Sequence, residues 1–135
     1  MAEAYRVEVR SVDGGPTALG WAGSVSLVVD RPPKAGGRGL GFSGGQLLNL
    51  AVAGCISNDL FREAAARGIT LHRVRVTAES DYTGQPAVST PIEYSVEIAG
   101  DADDAALDEL VAHVNDIAEI PNSLRQGTPV TLRSA

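Results

Sequence analysis

The 135 residues are 44% hydrophobic and 21% charged, which suits one globular domain over 1–135 with room for a core and excludes an intrinsically disordered chain. The formal charge is −6, the pI about 4.8, and the 11 Lys and Arg are scattered, which excludes a nucleic-acid partner, because neutralising phosphates takes clustered cations. No run of about 18 apolar residues exists to span a bilayer, and the opening MAEAYRVEVR lacks the basic-then-apolar order of a secretory leader, so no membrane association and a cytoplasmic location are expected.

Tyr5–Val12 alternates, with Tyr5, Val7 and Val9 on one face and Arg6, Glu8 and Arg10 on the other, predicting a strand with one buried face. DGGP, Asp13–Pro16, is a turn. A second strand signal covers Ala18–Asp30 through Val25, Leu27 and Val29, with Gly20 and Gly23 bending or bulging its start. RPPKAGGRGLGFSGG, Arg31–Gly45, is then a loop with six glycines and two prolines, unfit for a helix or a central strand. A loop that long inside a domain is usually functional or mobile.

Ser43 reads as an N-cap and Gln46 completes a capping box, so a helix runs from Gly44 to about Arg67, where Gly68 stops it. Its stretch LLNLAVAGCI is apolar on nearly every face, and such a helix is covered on every face. A chain this small can hardly surround it. A second copy is therefore expected to cover part of it, as in an obligate homodimer, with Ala51, Ala53 and Gly54 permitting close approach.

Ile69–Tyr82 predicts a strand with Leu71, Val74, Val76 and Ala78 on one face and Arg73 and Arg75 on the other. GQP turns the chain, and Thr90–Gly100 alternates again with Ile92, Tyr94, Val96 and Ile98 inward. Asp101, Asp103 and Asp104 crowd the next helix start, where the macrodipole favours negative charge. Leu107, Leu110, Val111, Val114 and Ile117 give that helix an apolar stripe. Pro121 is expected to break it, NSLRQG to form a short helical turn, and TPVTLR a last strand. Strands in adjacent runs make the fold class α+β with largely antiparallel pairing.

Two features of the glycine loop and its helix carry candidate chemistry. Gly39, Gly41 and Gly44 have the spacing of a dinucleotide-binding turn, but eight residues separate them from the preceding strand, and the positions about 20 residues on, Ala64–Ala66, are still helical. The nucleotide reading fails, and no cofactor is expected. The other feature is Cys55, the only cysteine, which excludes an intrachain disulfide or a thiolate metal cluster; with His72 and His113 far apart, no metal site is expected. Cys55 lies about three turns into its helix, where the dipole helps its thiolate little, and Asp59 at i+4 works against it. A cation must come from elsewhere, and Arg10 and Arg38 are the candidates. By these residues alone Cys55 reads as a small core hydrophobe, and His72, His113 and Trp21 as ordinary strand or helix residues.

The arrangement resembles the OsmC/Ohr family of thiol-dependent hydroperoxide reductases. PPKAGGRGLGFSGGQLLNLAVAGC, Pro32–Cys55, is similar to the family's proline, glycine-rich loop and buried helix ending on the peroxidatic cysteine. GITLHRVRVTAE is similar to its next strand, and IAEIPNSLRQGTPV to the segment that holds its second cysteine just before a proline. The resemblance implies an OsmC-like α+β fold with an antiparallel sheet, a long buried central helix and an intertwined homodimer. It implies a role in organic hydroperoxide defence, with Cys55 as nucleophile, Arg10 or Arg38 as activator, and Phe42, Gln46 and Ile120 at the binding site for a small hydrophobic peroxide. Three positions depart from the family pattern: Ile120 stands where the resolving cysteine belongs, Gly45 where the glutamate belongs, and Val12 where the arginine of an Arg-Asp-Gly stretch belongs. Sulfenic Cys55 would then need an external thiol reductant or over-oxidise, so one-cysteine peroxidase chemistry is the most the chain could support. The alternative is a non-catalytic module of the same fold that binds a small hydrophobic ligand at the dimer interface.

Overall fold

In the computed structural model, which describes residues 5–134, the chain forms β1 (Glu8–Ser11), β2 (Ala18–Ala22), β3 (Val25–Val29), α1 (Gly44–Ala66), β4 (Leu71–Glu79), β5 (Tyr82–Thr83), β6 (Val88–Ser89), β7 (Glu93–Gly100), α2 (Asp104–Ile117) and α3 (Glu119–Arg125). A single 3-10 turn, Pro33–Ala35, interrupts the glycine loop. The class is α+β with antiparallel sheets, as the strand order implies. The chain divides into two compact units, residues 1–48 and 49–135.

In the first unit β1, β2 and β3 form an antiparallel sheet in that order, with Glu8 opposite Trp21 and Leu19 opposite Val28. The segment expected to be one strand over Ala18–Asp30 is a hairpin. Gly23 takes a φ of 59°, which a tight two-residue turn favours and a β-carbon resists, so Ala22 pairs directly with Val25. The end of the glycine loop then runs beside β3: Phe42 N–H donates to Val28 O at 2.9 Å and Asp30 N–H donates to Phe42 O at 2.9 Å. Gly41 permits that approach, since a β-carbon there would run into the Val28 carbonyl. The face of Tyr5, Val7 and Val9, expected to be buried, lies open in the single chain, with Val7 69% and Val9 59% exposed.

The capping box at the start of α1 forms in both directions. Gln46 N–H donates to Ser43 Oγ at 3.3 Å, and Ser43 N–H donates to Gln46 Oε1 at 2.9 Å. At the other end Gly68, at φ 69°, lets Ile69 N–H reach back to Ala64 O at 2.9 Å. In the second unit Ile56, Leu60 and Ala64 of α1 pack with Leu110 and Val114 of α2 and with Ala118. The inward faces of β4 and β7 (Val74, Val76, Tyr94, Val96 and Ile98) cover this cluster, with Val74 opposite Ile98 and Val76 opposite Val96. The helix is not covered all round within one chain, because Leu50 and Phe61 are half exposed.

Two local expectations need correction. The second helix stops at Ile117, before Pro121 and not because of it. Pro121 is the third residue of α3, in the first turn, where a missing N–H costs nothing. TPVTLR forms no strand: among the described residues no strand pairs with it, Thr128 donates back to Ser123 O, and Val130 and Leu132 are almost fully exposed. The chain turns at GQP as expected, and that turn closes a small hairpin of β5 and β6, with Tyr82 opposite Ser89.

Candidate functional site

In the second unit α1 carries Cys55 as a free, half-buried thiol packed against the Ile56–Leu60–Leu110 cluster. One turn later is Asp59, buried to 7% exposure. Its Oδ1 is 3.2 Å from Arg62 Nη1, while its Oδ2 is buried and has no hydrogen-bond partner among the described residues. Arg62 also donates from Nε to Glu63 at 3.0 Å, and the other oxygen of Glu63 meets His113 Nε2 of α2 at 2.8 Å. The hydrogen bond from Arg62 and then that from His113 hold the Glu63 carboxyl below its ordinary range, and Glu63 and Asp59 in turn strengthen the hold of Arg62 on its proton. A chain of four charged or titratable groups therefore runs from the turn after Cys55 across to α2.

Ile120 lies in the first turn of α3, 37% exposed. In the same unit, Tyr94 O–H donates to Asn115 Oδ1 at 2.6 Å, and Arg125 donates to the same oxygen at 2.8 Å. Burial pushes the Tyr94 hydroxyl above its ordinary value, and Arg125 opposes this.

The first unit holds Arg10, Arg38, Phe42 and Gln46. Arg10 is exposed, donates to Glu8 Oε2 at 2.8 Å and lies over the Trp21 ring, 5.2 Å from its centroid. Arg38 is tied down more thoroughly. Its guanidinium donates to both oxygens of Asp13 at 3.2 and 3.3 Å and to Thr17 Oγ1 at 3.2 Å. The Gly15 N–H, and then Arg38, hold the Asp13 carboxyl below its ordinary range. Beneath this pair is Asp30, 2% exposed, which accepts from Thr17 Oγ1 at 3.0 Å and from the backbone N–H groups of Arg31, Arg38 and Leu40 at 2.8 to 3.3 Å. Burial alone would raise the Asp30 carboxyl, but these four donors outweigh it and the net direction is down. Asp30 is thus the anchor of the glycine loop, and it fixes the backbone of Arg38. Phe42 is bridged to Val29, and the Oε1 of Gln46 is occupied by the cap.

The capping box expected at Ser43 and Gln46 forms, and Cys55 and Arg38 are placed as described above. Sequence reasoning missed Asp30, whose only signal is an Asp at a strand end before a Pro- and Gly-rich loop, where short carboxylates collect backbone N–H groups. It also missed the Glu63–His113 pair, since 50 residues separate the two. Among the described residues no His, Cys, Asp and Glu cluster suited to a metal ion occurs, and no helix is long and apolar enough to cross a membrane.

A family model described as OsmC-like protein matches residues 36–133. Among solved structures the fold is similar to an OsmC-like protein from Mycoplasma pneumoniae, at 18% identity and a TM-score of 0.79 over 95% of this chain and 91% of that one. It is also similar to an organic hydroperoxide resistance protein OsmC from Legionella pneumophila, at 19% identity and a TM-score of 0.65 over 89% and 88% of the two chains. The organic hydroperoxide resistance protein OhrB of Bacillus subtilis matches at 18% identity and a TM-score of 0.61 over 90% of each chain. No curated protein matches the sequence.

Proposed function

Since the chain belongs to the OsmC-like protein family, we propose that it is a one-cysteine thiol peroxidase of organic hydroperoxide defence, acting in the cytoplasm as a homodimer. The observation that carries this reading is the free, half-buried thiol of Cys55 on α1 of an OsmC-like fold. The sulfur attacks the terminal oxygen of the hydroperoxide; the S–O bond forms as the O–O bond breaks, giving a sulfenic acid and an alcohol. With Ile120 at the place of a second cysteine, an external thiol condenses with the sulfenic acid to a mixed disulfide and water, and a further thiol releases Cys55. Arg38 or Arg10 supplies the cation, each giving up a carboxylate partner to do so. Phe42, Gln46 and Ile120 border the peroxide site.

The homodimer is supported by apolar surface left open in one chain. A concavity of about 250 Å³ is lined by Val7, Val9, Trp21, Val25, Leu27 and Leu47, and burying a valine or leucine contributes about 1.5–3 kcal/mol. The same concavity favours a second reading, in which it binds a small hydrophobic ligand and Cys55 has no reaction to perform. Consumption of cumene hydroperoxide with a dithiol or a monothiol, compared for the native protein and Cys55→Ser, separates the two. Activity that disappears in Cys55→Ser supports the peroxidase; equal rates refute it. A 14 kDa species by light scattering at micromolar concentration would contradict the dimer.

A further inference from the structure

The loop that carries Gly39, Gly41 and Gly44 fails as a dinucleotide turn, yet its backbone encloses an anion. At Gly37 a β-carbon would run into the Arg31 carbonyl, so glycine there lets the loop fold back on its own start. Gly39 takes a φ of 71° and donates to Arg31 O at 2.9 Å. A left-handed residue between two others turns successive N–H groups to one side, as in the anion-binding nests of phosphate loops. Here those groups meet Asp30. Arg38 N–H lies 3.3 Å from both carboxylate oxygens, Leu40 N–H donates to Oδ2 at 3.2 Å, and Arg31 N–H donates to Oδ1 at 2.8 Å. Thr17 gives its one hydroxyl proton to Oδ2 at 3.0 Å and accepts from Arg38 Nη1 at 3.2 Å, which links the buried carboxylate to a cation.

We propose that Asp30 is a built-in ligand of the glycine loop. The chain's own carboxylate fills a cradle suited to a small oxyanion, so the loop is ordered without a bound phosphate and is closed to one. Both oxygens of Asp30 are engaged and the residue is 2% exposed, so an anion from solution meets neither a spare donor nor an open path. The ligand class that matches the cradle is a carboxylate no larger than the one it holds. Cradle and carboxylate lie wholly in the first unit, and their relation is independent of the chemistry of Cys55.

The test is chemical rescue, read as the thermal midpoint of the native protein, Asp30→Ala and Asp30→Asn in sodium formate or sodium chloride at matched ionic strength. Asp30→Ala removes the carboxylate and leaves room for formate among the same donors. Asp30→Asn fills that room with an amide whose NH2 group accepts nothing. Both variants fall by about 8 °C or more in chloride, since each loses charge-assisted hydrogen bonds. Formate at about ten times its dissociation constant returns about 4 °C to Asp30→Ala, beyond whatever it adds to the native protein or to Asp30→Asn. Millimolar inorganic phosphate leaves the Arg31, Arg38 and Leu40 amide resonances of the native protein in place.

The proposal is overturned by an Asp30→Ala protein as stable as the native one, by an equal formate gain in all three proteins, or by no gain over chloride. Movement of the three native amide resonances in phosphate overturns it as well. If Asp30→Ala is unfolded in chloride, recovery of its folded signal in formate is the same readout. If it stays unfolded in both salts, Thr17→Val decides, because the carboxylate and three backbone donors remain. The Arg31, Arg38 and Leu40 amides then keep their slow hydrogen exchange; loss of that protection makes Thr17 the anchor and overturns the proposal.

Discussion

Replacing Leu60 by alanine tests whether α1 is seated as described. Leu60 is fully buried between Ile56, Ala64, Leu110 and Val114. The change removes three carbons, worth about 2.4 kcal/mol at about 0.8 kcal/mol each. If the neighbours collapse only partly, a residual cavity of about 60 Å³ adds about 1.5 kcal/mol at 24 cal/mol per Å³. The expected loss is therefore about 4 kcal/mol, a downward shift of about 2 M in the urea midpoint for an m-value near 2 kcal/mol/M. Protein concentration must be held constant, because a partner that binds only the folded chain raises the apparent stability. Phe61→Ala, at the next position, is the internal contrast. Phe61 is half exposed in the chain, so its truncation costs under about 1 kcal/mol in a monomer and shows its effect in the dimer–monomer equilibrium. A Leu60→Ala loss below about 1.5 kcal/mol would refute the packing argument.

Ser43→Ala removes one half of the capping box and is expected to cost about 1 kcal/mol, read from thermal unfolding; Gln46→Ala should remove much of the same stabilisation, and two fully additive losses would contradict a shared motif. Asp30 has a folded-state affinity for protons below the unfolded one, so its contribution is fully present above the unfolded value near 3.9 and is lost as pH falls through the lower folded value. Asp30→Asn should be less stable than the native protein at pH 7 and show a flatter decline between pH 4 and 2. An unchanged acid limb would exclude Asp30 as its source.

Local signals in the sequence were legible where the physics is local. The capping box, the Gly68 stop, the acidic start of α2 and the faces of β4 and β7 follow from residues within a few positions of one another. The failures come from partners at long range. Val7 and Val9 alternate as a buried strand should, but nothing among the described residues closes over them. TPVTLR has the composition of a strand and pairs with no strand among the described residues. Pro121 looks like a breaker in the sequence because its tolerated position, in the first turn of α3, depends on where α2 has already stopped. At the candidate site Cys55 was visible as the only thiol. The anchoring of Arg38 was not, since Asp13, Thr17 and Asp30 reach it from 8 to 25 residues away.

That anchoring determines how Arg38 could serve a thiol at all. Its backbone is fixed by buried Asp30, whereas its guanidinium rests on Asp13 in a half-exposed pair, the kind of contact that contributes little to stability. The loop is thus held at its backbone, while the guanidinium is held only by side chains, Asp13 and Thr17. Gly15 controls the charge, because a β-carbon there would fall on Arg38 Nη2. Gly15→Ala should push the guanidinium off Asp13, and since a flexible side chain yields, thermal stability should change by only about 2 °C. If Arg38 activates Cys55, the released cation should raise the rate of hydroperoxide reduction by Gly15→Ala, and the gain should vanish when Arg38→Gln is added. A Gly15→Ala protein that folds normally and reduces hydroperoxide at the native rate would remove Arg38 from the site and leave Arg10 as the remaining first-unit candidate.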